Sequence, residues 1–200
     1  MSWIKTLSYE EAGQSLKKLY DRVRGPDGNI DNVLKIHGLR PHTLQGHMGL
    51  YKSVLHHNHN VLPSWYLEAV GVFVSHLNNC DYCIEHHLSG IKRLLSAESG
   101  MQIMQSIKNN RLADYFNPKE ISGLEYARAL TLSIRQMTEE DLLPMKASGF
   151  DDGEILEINQ VASYFNYVNR TVLGLGVSTE GDVLGLSPEK STDNNDWGHH

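Results

Sequence analysis

Cys80 and Cys83 are the only cysteines in the 200-residue chain, three positions apart in Cys80-Asp81-Tyr82-Cys83. A disulfide closing so short a loop removes little entropy from the unfolded chain and makes a poor staple, so the pair reads as a redox switch or a metal clip. His87 follows the second cysteine by four positions and Glu68 precedes the first by twelve. On a helix opening near Cys80, offsets of three and four residues put 80, 83 and 87 on one face, so the sulfurs can meet each other and an imidazole. A thiol at such a helix start is stabilised as thiolate by unpaired backbone N–H groups and the dipole, which lowers its pKa below ~8.5. The chemistry available is that of a nucleophile with acid–base groups beside it.

Glu68 must come from the preceding helix. If the two helices pack antiparallel about Asn78-Asn79, Glu68 lies about 16 Å back from the turn and His87 about 13 Å forward of it, at ~1.5 Å per residue. These depths predict a direct or water-bridged contact. The neighbours Trp65, Tyr66, Leu67, Ala69 and Val70 are apolar, so the carboxyl is expected to be buried with a partner. Desolvation would raise its pKa toward the range useful for a base.

Helical periodicity dominates the rest. Ser8 and Glu11 have capping-box spacing and open a helix expected over 8–24, which Gly25-Pro26-Asp27-Gly28 breaks. Further helices are expected over 31–38, from Pro41 through Leu44, Met48, Tyr51 and Leu55, and from Pro63 through Leu67, Val70, Val74 and Leu77. Others run from Cys80 toward Leu95 and over 97–107, 118–137, 138–147 and 151–173. Carboxylates in 138–141 and 151–154 stand at helix starts, where the dipole favours them. No segment alternates with β-branched enrichment, so the fold class is all-α. The helices of 63–95 are echoed by those of 118–173, which predicts a bundle built from two similar helical hairpins. One all-helical domain over 1–176 is followed by a tail, 177–200, rich in Gly, Ser, Asp and Asn. The tail is expected to be irregular, and its closing Gly198-His199-His200 is assigned no function.

Lysine and arginine number 18 against 24 aspartates and glutamates, a net charge of −6, so no electrostatic footprint for nucleic acid or an anionic membrane is present. The longest apolar stretch, 69–74, is far short of the roughly 20 residues a membrane span needs, and Met1-Ser2-Trp3-Ile4-Lys5 lacks the apolar stretch of a signal peptide. The expected location is the cytoplasm. Reducing conditions there make an isolated Cys-x-x-Cys catalytic or metal-binding rather than structural.

Glu68, Cys80, Cys83 and His87 at this spacing resemble the AhpD-like alkylhydroperoxidase branch of the carboxymuconolactone decarboxylase superfamily. The likeness runs from Glu68-Ala69-Val70-Gly71 through Asn78-Asn79-Cys80-Asp81-Tyr82-Cys83 to His86-His87. Upstream Asn32-Val33-Leu34-Lys35 to Pro41, and downstream Ser163-Tyr164-Phe165-Asn166-Tyr167-Val168-Asn169-Arg170, are similar to the group called peroxidase-related proteins. The resemblance implies an all-helical fold, assembled as trimers or hexamers, that needs no cofactor. It reduces a hydroperoxide through a cysteine pair cycling between dithiol and disulfide, reset by an external dithiol, in antioxidant defence. By position, Cys83 would be the thiolate that attacks peroxide, Cys80 its resolving partner, and Glu68 with His87 the proton relay. The chain departs from the pattern at Tyr82, where the resemblance expects a His; peroxide turnover and the choice of electron donor turn on that position.

Other readings stand beside this one. Decarboxylation of a muconolactone on the same fold needs acid–base groups but no dithiol, so the intact pair argues against it. Cys80, Cys83 and His87 with His76 or His86 could close a four-ligand zinc site in a non-enzymatic helical module, though no second Cys-x-x-Cys or His-x-x-x-His completes a standard pattern. His56, His57 and His59 read as a solvated helix end, and His86, pointing about 100° away from His87, as a surface or interface residue. Tyr164, Phe165, Tyr167 and Val168 are expected in the core, at an interface or along the pocket. Asn166 and Arg170 share a helix face and are expected to hydrogen-bond without a catalytic role.

Overall fold

The computed structural model describes residues 2–200; Met1, part of the N-terminal segment without an apolar stretch, lies outside them. Nine α-helices are found among the described residues, with no sheet. They are α1 (Gln14–Val23), α2 (Asn32–Lys35), α3 (Pro41–Leu55), α4 (Ser64–Leu77), α5 (Asp81–Leu94), α6 (Ala97–Lys108), α7 (Pro118–Leu132), α8 (Leu143–Ala147) and α9 (Asp152–Gly174).

α4 forms the centre: every residue from Tyr66 to Ser75 is buried, a run apolar on all sides except for Glu68 and Ser75. It packs on α5, α7 and α9, and α7 packs on α9, so the two predicted hairpins share one core. Gly71 permits the tightest of these contacts, since a side chain there would collide with the Phe165 ring of α9. The α4–α5 turn closes as a Schellman motif: Asn79 takes a left-handed φ of 56°, its N–H donates to His76 O at 3.1 Å, and Cys80 N–H donates to Ser75 O at 2.9 Å. Asparagine tolerates that conformation, and the motif delivers Cys80 directly to the N-cap of α5.

Several helix limits differ from those the sequence implies. Ser8 and Glu11 do exchange capping-box hydrogen bonds, at 3.0 and 3.3 Å, but these close an isolated turn; extended Gly13 intervenes and α1 begins at Gln14. The helix expected over 31–38 spans only Asn32–Lys35. α7 stops at Leu132, with a 3₁₀ turn over Ile134–Gln136. The helix expected over 138–147 is divided into a 3₁₀ turn, Glu139–Leu142, and α8, because Pro144 has no N–H to continue the ladder. Asp151 caps α9 with Glu154 in a reciprocal box, as its carboxylates predict.

Residues 177–200 form turns and two isolated bridges and are folded onto the helices. Lys52, fully buried, donates to Ser191 Oγ at 2.9 Å and to the Glu189 carbonyl; Arg22 stacks over Trp197 at 3.6 Å. Among the described residues, no helix is long and apolar enough to cross a membrane.

Candidate active site

The two sulfurs lie 3.1 Å apart as free thiols, Cys80 fully buried at the N-cap of α5 and Cys83 in its first turn, 3% exposed. The hydrogen bond between them is the largest influence on both. It holds Cys80 below the usual thiol range and, together with burial, pushes Cys83 well above it. Ionising one thiol therefore depends on the protonation of the other. Behind it sits a polar floor that sequence reasoning missed: Asn169 Nδ2 donates to Ser75 Oγ at 3.0 Å and Asn169 Oδ1 accepts from Asn78 Nδ2 at 3.0 Å. Hydrogen bonding by Asn169 favours the thiolate form of either cysteine, and Ser75 favours that of Cys83. The traces in the sequence are single polar residues inside otherwise apolar helix faces, Ser75 after Val74 and Asn169 after Val168.

Glu68 and His87 meet as their depths along the two helices predict. Glu68 Oε2 accepts from His87 Nδ1 at 2.6 Å, and both are largely buried. Burial is the largest single influence on the Glu68 carboxyl and pushes it up; the charge and hydrogen bond of His87, together with His56, outweigh it and hold it below its usual range. The expectation of a raised, base-like carboxyl is thus overturned. Glu68 is an anion whose hydrogen bond fixes the ring of His87. Phe165 holds that ring edge-on at 4.6 Å.

Cys83, His87 and Glu68 line one cavity of about 50 Å³, with Tyr51, Tyr164 and His47 on its walls. Cys80 does not reach it. The volume accommodates a few small-molecule atoms. Tyr51 and Tyr164 stay neutral, their phenols raised well above the usual range by burial; His47 is pushed down to about 3 by burial and the neighbouring imidazoles. Val168 also lines the cavity, whereas Phe165 lies in the core and Tyr167 is exposed. A more open cavity of about 270 Å³ shares Glu68 and Gly90 with the first and adds His56 and Arg93.

Three histidine readings are corrected. His56 is no solvated helix end: it is 7% exposed, its Nε2 lies 3.8 Å from Glu68 Oε1, and burial pushes it down to about 4. Only His57 and His59, ring against ring at 4.8 Å, remain at that corner. His86 is buried, with Nε2 3.3 Å from Asp182 and its ring against Tyr82 at 4.6 Å. His199, given no function in sequence, lines the cavity with Leu186 and Ser187 of the tail. The His86–Asp182 contact and the approach of His199 to the cavity span long sequence separations that no local pattern records. Asn166 and Arg170 do bond, at 2.9 Å. The zinc reading lacks its fourth ligand, since His86 faces Asp182 and His76 lies near Lys108 and Arg128. Among the described residues, no three ligating side chains are arranged to hold a metal ion.

No protein-family model matches the chain. A curated relative, an uncharacterized protein YdfG of Bacillus subtilis, is 21% identical over 109 residues, 54% of this chain and 72% of the relative. Among solved structures, an alkylhydroperoxidase AhpD core, described as an uncharacterized peroxidase-related protein from Ralstonia eutropha JMP134, superposes with a TM-score of 0.75 at 17% identity, covering 90% of this chain and 93% of that one. The debrominase Bmp8, as a cysteine-to-alanine variant in complex with 2,3,4-tribromopyrrole, superposes with a TM-score of 0.69 at 17% identity, covering 90% and 95%.

Proposed function

Starting from this AhpD-like helical fold, we propose that the protein is a thiol-dependent peroxidase that reduces hydroperoxides through Cys83 and Cys80. A debrominase shares the fold, so the fold does not choose the reaction. The observation that carries the reading is a buried free dithiol at 3.1 Å whose cavity-facing member shares that cavity with a carboxylate-oriented imidazole. Muconolactone decarboxylation would leave the dithiol without a role.

One proton of the pair passes to His87 and the other stays between the sulfurs, which lets Cys83 act as thiolate. Its sulfur attacks the distal peroxide oxygen, the O–O bond breaks, and the departing alkoxide takes the proton from the His87 imidazolium, giving an alcohol and Cys83 sulfenic acid. The Cys80 thiol then attacks that sulfur, forming the disulfide and releasing water. Two thiols and one hydroperoxide become one disulfide, one alcohol and one water. An external dithiol restores the pair through a mixed disulfide.

Titrating free thiols before and after one equivalent of an organic hydroperoxide tests this reading. Both thiols should be lost per peroxide consumed and return with dithiothreitol; unchanged thiols would overturn it. The proposed assembly is a homo-oligomer, trimeric or hexameric, since Leu39, Leu50, Leu132, Ile134, Leu143 and Leu156 are exposed apolar side chains. A stable monomer at micromolar concentration in sedimentation would refute that part.

A further inference from the structure

The tail forms one wall of the cavity that Cys83 lines, through Leu186, Ser187 and His199, and Cys83 beside it is only 3% exposed. A reductant's sulfur must touch a protein sulfur to form a mixed disulfide. If the peroxidase reading holds, the tail has to move once in every turnover.

We propose that segment 181–200 is a gate over the dithiol, latched by Tyr82 and Asp182 and released when Cys80 and Cys83 form their disulfide. The Asp182 side chain is fully buried and collects its donors from the helices beneath. Its two oxygens accept from Asn32 N–H at 3.0 and 3.1 Å, and Oδ2 accepts from Tyr82 Oη at 2.6 Å with His86 Nε2 at 3.3 Å. Tyr82 is itself tied down by Val33 N–H, which donates to its oxygen at 3.1 Å. Further along the tail, Arg93 donates to His200 O at 2.6 Å and Arg22 covers Trp197.

Of these fastenings, only Tyr82 lies inside the loop that the disulfide closes, Cys80-Asp81-Tyr82-Cys83. Closing it must draw the sulfurs from 3.1 Å to about 2.05 Å. A displacement on the order of 1 Å in the first turn of α5 strains the 2.6 Å hydrogen bond that Tyr82 donates to this buried carboxylate. Tyr82 thereby turns the redox state of the pair into the position of the tail: closed over the dithiol, open over the disulfide that a reductant must reach. This gives a physical use to the residue that departs from the resemblance, because a phenol on α5 reaches the tail carboxylate.

The test needs no peroxide. In the reduced full-length protein, alkylation of the thiols is timed with iodoacetamide and with a polyethylene-glycol maleimide. Hydrogen exchange of the Asn32 amide, which donates to Asp182, and of the Asp182 amide is then followed in reduced protein and in protein oxidised by diamide, which takes two electrons and two protons from the dithiol and becomes a hydrazine. Tyr82→Phe and Asp182→Asn should raise the bulky reagent's rate relative to the small one about 10- to 100-fold, the range a hydrogen bond to a charged group covers. Diamide should remove exchange protection from the Asn32 and Asp182 amides in the wild type and change it little in Tyr82→Phe. Arg22→Ala, which loosens the tail away from the cysteines, should keep the redox dependence. An unchanged reagent ratio in both latch variants, or equal exchange in the two redox states, would overturn the gate; loss of peroxide reactivity alone would overturn only the peroxidase reading.

Discussion

At Cys83 two requirements of a nucleophile are divided between neighbours. The shared proton favours Cys80 as the thiolate, yet only Cys83 faces the cavity. Access decides, because a proton crosses a 3.1 Å contact readily whereas a peroxide cannot pass a fully buried side chain. Cys83→Ser should therefore abolish peroxide consumption, while Cys80→Ser should react once and accumulate a sulfenic acid that dimedone traps. The reverse pattern would exchange the two roles. Glu68→Gln keeps size and some hydrogen bonding but cannot stabilise an imidazolium on His87. General-base assistance is typically worth ~100- to 10,000-fold, so Cys83 alkylation should slow at neutral pH and recover as rising pH ionises the thiol unaided. His87→Asn should follow the same profile and the double variant should be scarcely worse, since residues acting as a unit are non-additive. Alkylation rates against pH in the three variants check this; wild-type reactivity throughout in Glu68→Gln would leave Glu68 a structural carboxylate.

At the scale of elements, the site depends on how closely α9 approaches α4. Gly71 allows Phe165 to lie against α4, and Phe165 presents its edge to His87. Gly71→Ala should cost about 1–3 kcal/mol in urea unfolding, the usual range for overpacking, and should also slow Cys83 alkylation as Phe165 shifts. Slowed alkylation with unchanged stability would place the effect on the ring alone; neither change would remove Gly71 from the account. The positions of α3, α4, α5 and α9 are legible because each carries an apolar stripe or run together with a Pro, Asn or Asp at its start. The Glu68–His87 contact was legible because one short turn joins the helices that bear it. His56, Asn169 and Asp182 were not, because each acquires its role from a partner on another element: Asp182 is 100 positions from Tyr82 and Asn169 is 94 from Ser75. A histidine at the end of an apolar helix looks the same in sequence whether a tail covers it or water does.

At the scale of the whole molecule, burial of imidazoles makes the fold sensitive to acid. His56 and His199 are pushed down to about 4 and His47 to about 3, in each case chiefly by burial. Below the ordinary value of 6.5 the unfolded chain binds protons that these native side chains refuse, so stability rises with pH between about 4 and 6.5. Glu68 adds to this lower down: its carboxyl is held below 4.5, so its contribution is present above that value and lost as pH falls through the folded one. Asp31 opposes, because burial raises it to about 6 and the native state binds a proton that the unfolded chain releases above 3.8. One carboxyl against three imidazoles leaves the slope positive across the window. Urea midpoints measured from pH 7 to pH 5 should therefore fall steadily. His56→Gln should flatten the dependence by up to roughly 1.4 kcal/mol per pH unit, the worth of one proton. A flat or inverted profile in the wild type would mean that the native fold does not keep these rings dry.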